Sequence, residues 1–117
     1  MTTNIYIDGD GDGRTCVLGV GTTVFIGHHG ATTNNESEYN ALIDALNILE
    51  THERVRIYSD SQLVVYQMQG TWRCNKPELL ARKNMALSII SRRGLDVDIQ
   101  WIEGKKNITS THLRRTK

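Results

Sequence analysis

Asp8, Glu38 and Asp60 are three acids placed at the ends of separately patterned segments. Asp8 closes the alternating Ile5-Tyr6-Ile7, Glu38 lies in the first turn of a long helical pattern, and Asp60 closes the alternating stretch that contains Val55 and Ile57. Three carboxylates brought to one place repel strongly unless cations sit among them. Mg²⁺ is held by one or two carboxylates while it keeps waters and substrate phosphate oxygens. Two such ions, about 3.5–4 Å apart, can align an attacking water and a leaving oxygen across a phosphodiester. Each acid also has a plainer use. Asp8 starts an Asp-Gly-Asp-Gly-Asp-Gly run that suits turn chemistry. Glu38 could close a capping box with Asn35, as Glu36 could with Thr33, and Asp60 could cap the helix that follows it. The same Asp8-x-Asp10-x-Asp12-Gly13 run resembles a calcium loop, but the twelfth position, which needs Glu, is Gly19, and a strand pattern precedes it.

The elements that must position these acids can be read from periodicity. Ile5 and Ile7 alternate with Tyr6 and Asp8, as in a strand. Residues 15–29 are β-branched and glycine-punctuated and read as a hairpin with its turn near 19–22. The period then changes: Leu42, Ala45, Leu46 and Leu49 form a helical stripe behind the cap-rich Thr32-Thr33-Asn34-Asn35. Val55 and Ile57 open a short strand, and residues 61–69 suit a helix stopped by Gly70. Pro77 starts a further helix with Leu79, Leu80, Ala86, Leu87 and Ile90 expected to face inward, and Gly94 ends it. Leu95, Val97, Ile99 and Trp101 alternate with polar residues in a last, half-buried strand, and the basic stretch after it has room for about two helical turns. The order predicts one α/β domain over residues 1–117, with a hairpin, crossover units and hence a mixed sheet. Right-handed crossovers bring the ends of neighbouring parallel strands together, and with them Asp8 and Asp60.

A chain of 117 residues can bury a core without disulfides or a structural metal. Cys16 and Cys74 stand far apart with no ligand spacing, which fits a reduced compartment. No apolar run approaches the roughly 20 residues of a membrane span and the first residues lack signal-peptide character, so a cytoplasmic location without membrane attachment is expected. No dimer patch stands out, so a monomer is expected. The net charge of +1 is unevenly spread: residues 1–72 carry nine acids against three bases, residues 73–117 eleven bases against four acids. The basic half suits a polyanionic partner; solvated faces that happen to differ in sign are the bland alternative.

The words around the three acids resemble the type 1 ribonuclease H family. Ile5-Tyr6-Ile7-Asp8-Gly9 is similar to its first-strand motif. Thr32-Thr33-Asn34-Asn35-Glu36-Ser37-Glu38-Tyr39 is similar to its helix motif, and Tyr58-Ser59-Asp60-Ser61-Gln62-Leu63-Val64 to its third. With the closing Ile99-Gln100-Trp101-Ile102, the resemblance spans nearly the whole chain. It implies a ribonuclease H-like fold, a five-stranded mixed sheet flanked by helices. It implies a hydrolase, an endonuclease that cuts the RNA strand of an RNA–DNA hybrid and leaves 5′-phosphate and 3′-hydroxyl ends. Asp8, Glu38 and Asp60 would be catalytic and would hold two Mg²⁺ or Mn²⁺ ions. Thr33 would lie near a phosphate, and Asn34, Asn35 and Gln62 in the minor groove of the hybrid, where amides can donate to and accept from 2′-hydroxyls and base edges. Arg73 and Lys76, with Arg82 and Lys83, could track the phosphates of the DNA strand, with Trp72 packed on a sugar or base. Alternatively, Trp72 only covers the core edge.

The family usually carries a fourth acid on its last helix, four residues after an Asn. Counting from Asn107, that position is Thr111, a neutral hydroxyl and a poor partner for a hard dication. Asn107, Glu103 or His112 could stand in for it. The loop before this helix often carries a histidine in the family; Lys105 and Lys106 occupy it here. The last helix reads as short. Weak binding of one of two metals, with better activity in Mn²⁺ than in Mg²⁺, is one expectation. A hybrid- or RNA-binding protein of the same fold with impaired catalysis is the alternative.

Overall fold

Strand β1 (Thr3–Gly9) is the axis on which the other elements are laid. Its Ile5 and Ile7 are buried, while Tyr6 and Asp8 belong to the opposite face by the period of two. β2 (Arg14–Gly19) returns antiparallel to it, with Val17 opposite Ile7, and β3 (Val24–His28) continues the meander. β4 (Arg54–Ser59) lies parallel to β1 on its other side, and β5 (Asp96–Trp101) lies parallel to β4. The order β3-β2-β1-β4-β5 makes a five-stranded mixed sheet in this computed structural model, which describes residues 2–19 and 24–109. The hairpin turn expected near 19–22 falls mostly outside the described residues, as does most of the last helix.

Helix α1 (Asn34–Ile48) begins at a capping box. The Thr33 hydroxyl accepts from Glu36 N at 3.1 Å and donates to Glu36 Oε1 at 2.9 Å. Its residues Ser37–Leu46 are all buried because the helix is sandwiched between the sheet (β1 and β2) and helix α3 (Pro77–Arg93). Tyr39, Leu42 and Leu46 are the largest fully buried side chains of α1, and the core continues through Ile57, Val64 and Ile99. Helix α2 (Gln62–Met68) is capped by Ser61, whose hydroxyl accepts from Val64 N. Asp60 is thereby relieved of the capping role that its position allowed.

α3 starts with Pro77 in its first turn and ends at Gly94, whose φ of 61° is the left-handed geometry glycine supplies. Leu79, Ala86 and Ile89 are buried and Ile90 is half-buried, but Leu80 and Leu87 are exposed. The five-residue inward face expected from periodicity is therefore too wide. α3 packs mainly on α1 and not on the sheet, so only a narrow stripe is covered. Trp101 is also more exposed than the alternation of β5 suggests, because β5 is an edge strand and Trp101 is its last residue. After β5 comes a 3₁₀ turn, Gly104–Lys106. Among the described residues no helix is long and apolar enough to cross a membrane.

Candidate active site

The parallel pairing of β1 and β4 sets the first two acids side by side. Tyr6 is opposite Tyr58, and their rings stack with centroids 4.9 Å apart. Two residues beyond Tyr6, in β1, stands Asp8, and two beyond Tyr58, just past the end of β4, stands Asp60; both are half-buried. Glu38 arrives from the first turns of α1. The approach is close: a Cβ at Gly9 would collide with Ser37 O, so only glycine lets the helix reach the end of β1. Glu38 Oε1 then accepts from Gly9 N at 2.6 Å, which fixes its carboxylate at the strand end. One carboxylate oxygen from each of Asp8, Glu38 and Asp60 lies within 4.8 Å of the others.

Burial holds the Glu38 carboxyl well above the ordinary carboxylate range, and a hydrogen bond to Asp8 and the charges of Asp8 and Asp60 push the same way. A buried acid that resists ionisation beside two others is what a hard cation would relieve. The donors are all carboxylate oxygens, the type Mg²⁺ and Mn²⁺ take. The residues therefore fit a divalent metal.

The neighbourhood is built from both sides. Asn34 and Asn35 open α1 next to Glu38, with Asn34 exposed and Asn35 half-buried, and a Cβ at Gly11 would come 3.0 Å from Asn34 Oδ1. Gln62, exposed, opens α2 two residues after Asp60. Thr33 is the N-cap of α1, exposed beside them. On the far side, Trp101 Nε1 donates to Asp60 O at 3.2 Å, and the position of a Cβ on Gly104 is 3.4 Å from Asp60 Oδ2.

The segment between α2 and α3 carries Trp72, Arg73 and Lys76, all exposed. Trp72 tilts against Tyr66, with ring centroids 5.1 Å apart, and Arg73 O accepts from Gln67 Nε2. Arg82 points instead toward α1, where its Nη2 lies 3.1 Å from Glu36 Oε2 and its Nε donates to Asn40 Oδ1 at 3.0 Å.

Of the three stand-ins for a fourth acid, one is committed elsewhere and one meets only an exposed lysine. Asn107, buried, donates through Nδ2 to Ile7 O at 2.9 Å and accepts from Thr109 N. Glu103 pairs with Lys105 at 3.4 Å. Thr111 and His112 lie outside the described residues. What sequence reasoning missed are long-range pairs without local signal, such as Thr15 with Asp44, and Trp101 with Asp60.

A mixed sheet of this order, with three carboxylates gathered where β1 and β4 end and α1 begins, defines an α/β domain whose donor set fits a divalent cation. The RNase H family matches residues 2–112, and the chain belongs to that family. It is 31% identical over 97% of its length to a bifunctional protein of Mycobacterium tuberculosis, of which it covers 34%. It is similar to the LC11 ribonuclease H1 solved in complex with an RNA/DNA hybrid, at 27% identity and a TM-score of 0.82, covering 95% of this chain and 92% of that one. The ribonuclease H1 of the halophilic archaeon Halobacterium salinarum gives 26% identity and a TM-score of 0.77, covering 92% and 89%. The chain spans about a third of the length of the curated relatives it matches.

Proposed function

We propose that this chain is a ribonuclease H that hydrolyses the RNA strand of RNA–DNA hybrids, leaving 5′-phosphate and 3′-hydroxyl ends. The observation that carries the reading is the convergence of Asp8, Glu38 and Asp60 within 4.8 Å, flanked by Asn34, Asn35 and Gln62. Family membership and the hybrid bound to the LC11 relative support it.

Asp8, Glu38 and Asp60 would hold two Mg²⁺ or Mn²⁺ ions, with Thr111 at the position of a fourth ligand. When bound, the ions supply a nucleophilic water at neutral pH and stabilise charge on the leaving oxygen. The protein's own part is positioning. Gly9 N–H orients the Glu38 carboxylate, and the Tyr6–Tyr58 register sets the spacing of Asp8 from Asp60. The amides of Asn34, Asn35 and Gln62 meet 2′-hydroxyls and base edges in the wide minor groove of the hybrid, which gives strand selection with little sequence preference. Thr33 lies near a phosphate, and Trp72, Arg73 and Lys76 receive the DNA strand. Residues 1–117 act as one domain, as a cytoplasmic monomer.

Cleavage of a labelled hybrid in Mg²⁺ and in Mn²⁺ tests this, with single-stranded RNA and duplex DNA as controls. The expected result is hybrid-only cutting, stronger in Mn²⁺, that disappears in Asp8→Asn. The second reading, an impaired hybrid-binding protein, is favoured by the commitment of buried Asn107 to Ile7 O and Thr109 N. Tight binding without cutting in either metal would select it.

A further inference from the structure

The 3₁₀ turn Gly104–Lys106 stands beside Asp60 of the carboxylate cluster, and it carries two adjacent cations. Its position is fixed from both ends. Ile102 N donates to Ser59 O at 3.0 Å, tying the entry to the strand that leads into Asp60. Asn107 Nδ2 donates to Ile7 O at 2.9 Å, tying the exit to the strand that carries Asp8. Inside the turn, Lys106 N donates to Glu103 O and Asn107 N to Gly104 O. A Cβ at Gly104 would stand in ordinary contact with Asp60 Oδ2, at 3.4 Å, which puts the turn beside that carboxylate.

The two lysines are available. Lys105 meets Glu103 at 3.4 Å, but both side chains are largely exposed (79% and 49%), a pairing worth little in water. Lys106 is exposed and makes no ion pair among the described residues. A phosphodiester that approaches three acids meets net repulsion, so cations at the rim of the cluster have a clear electrostatic use. Arg82, the base that sequence placed in a phosphate-tracking segment, is held by Glu36 and Asn40 and is not free for that work.

We infer that Lys105 and Lys106 bind the sugar–phosphate backbone of the hybrid on the Asp60 side of the cleavage site, with Lys106 the principal contact. The inference rests on the hybrid-cleaving reading above and adds a binding surface to it. The contact is to phosphate and carries no sequence information.

The test compares Lys106→Ala, Lys105→Ala/Lys106→Ala and Lys106→Arg with the parent, and uses Arg92→Ala as a charge control. Arg92 lies in the last turn of α3, which leads into the start of β5, at the end of the sheet away from the carboxylates. Two quantities are read: kcat/KM for a hybrid in Mn²⁺, and hybrid affinity against salt concentration with each change made in an Asp8→Asn background. The expected result is a fall in kcat/KM and in affinity on the order of tenfold for Lys106→Ala. The log–log salt slope should fall by about one, and by about two in the double variant. Lys106→Arg should keep the slope and Arg92→Ala should change nothing. Melting temperatures should be equal, since the Lys106 ammonium supports no fold contact. An unchanged slope and affinity in Lys106→Ala would overturn the inference. A parent that binds hybrid but cuts nothing, with the slope still lost in the lysine variants, would overturn the cleavage reading and leave this contact supported.

Discussion

Arg82 on α3 reaches Glu36 on α1 at 3.1 Å, and the same guanidinium donates to Asn40 Oδ1 one turn further along α1. Glu36 is already engaged by the hydroxyl of the cap residue Thr33. One arginine thus connects the outer helix to the start of the helix that presents Asn34, Asn35 and Glu38. Its own helix also holds it, through Nη1 to Glu78 O at 2.9 Å.

Arg82→Ala should therefore act on stability first. Both partners of the ion pair are mostly covered, and a second hydrogen bond goes with it, so a loss of about 1–2 kcal/mol is expected by urea unfolding. Glu36→Ala should cost more than the ion pair alone, because it also removes the acceptor of the Thr33 capping box. A double variant less destabilised than the sum of the two would confirm that they share one network. An Arg82→Ala protein of parental stability that loses hybrid affinity with a reduced salt slope would instead make Arg82 a phosphate contact.

Convergence of three acids predicts a metal-dependent melting temperature. Without divalent ions, Asp8→Asn should melt a few degrees above the parent, since it removes one of three neighbouring charges and a source of the pressure on Glu38. With Mn²⁺ at about 100 times its dissociation constant the parent should gain roughly 2.7 kcal/mol, and the variant much less. Equal shifts in parent and variant would place the metal elsewhere.

A polar cluster away from these acids predicts a purely structural effect. Asp44 Oδ2 accepts from the buried Thr15 hydroxyl at 2.6 Å and meets His29 Nε2 at 2.8 Å. It thereby joins α1, β2 and the residue that follows β3. Asp44→Ala leaves the Thr15 hydroxyl buried and unpaired, for a cost of about 2 kcal/mol. His29→Ala should cost less, because that side chain is 37% exposed and water can replace it. A larger loss for His29→Ala in urea unfolding would reverse this assignment.

The legible and illegible parts of the fold divide along the range of the interactions. Alternation at Ile5 and Ile7, the Thr33 cap, Pro77 and Gly94 are local signals; the first marks the body of β1 and the others mark helix ends. The carboxylate cluster was legible because two neighbouring parallel strands and one helix start end at a common edge. The width of the buried stripe on α3 was not, since Leu80 and Leu87 are exposed only because α3 rides on α1. Periodicity names a face but not what covers it. The Arg82–Glu36 and Thr15–Asp44 pairs are fixed by packing between distant segments, to which no spacing in the chain corresponds.

Two glycines of nearly equal backbone angle separate conformational strain from steric approach. Gly13 has φ of 85° and Gly70 has φ of 84°, so alanine at either should cost about 1–2 kcal/mol through the left-handed backbone alone. Around Gly70 an added Cβ meets nothing within 4 Å. At Gly13 it would collide with Gly30 O, where the β1–β2 turn lies against the loop that leads into α1. That loop is held by His29 N to Gly13 O at 2.9 Å and Thr32 N to Gly11 O at 3.3 Å, immediately before Thr33 and Asn34. Gly13→Ala must push the two loops apart and disturb these bonds. Its destabilisation should exceed that of Gly70→Ala by at least about 1–2 kcal/mol. Hybrid affinity should fall as well, since Asn34 sits on this junction, while Gly70→Ala should bind as the parent does. Equal melting temperatures for the two variants would mean that the loop junction yields without cost and does not hold Asn34 in place.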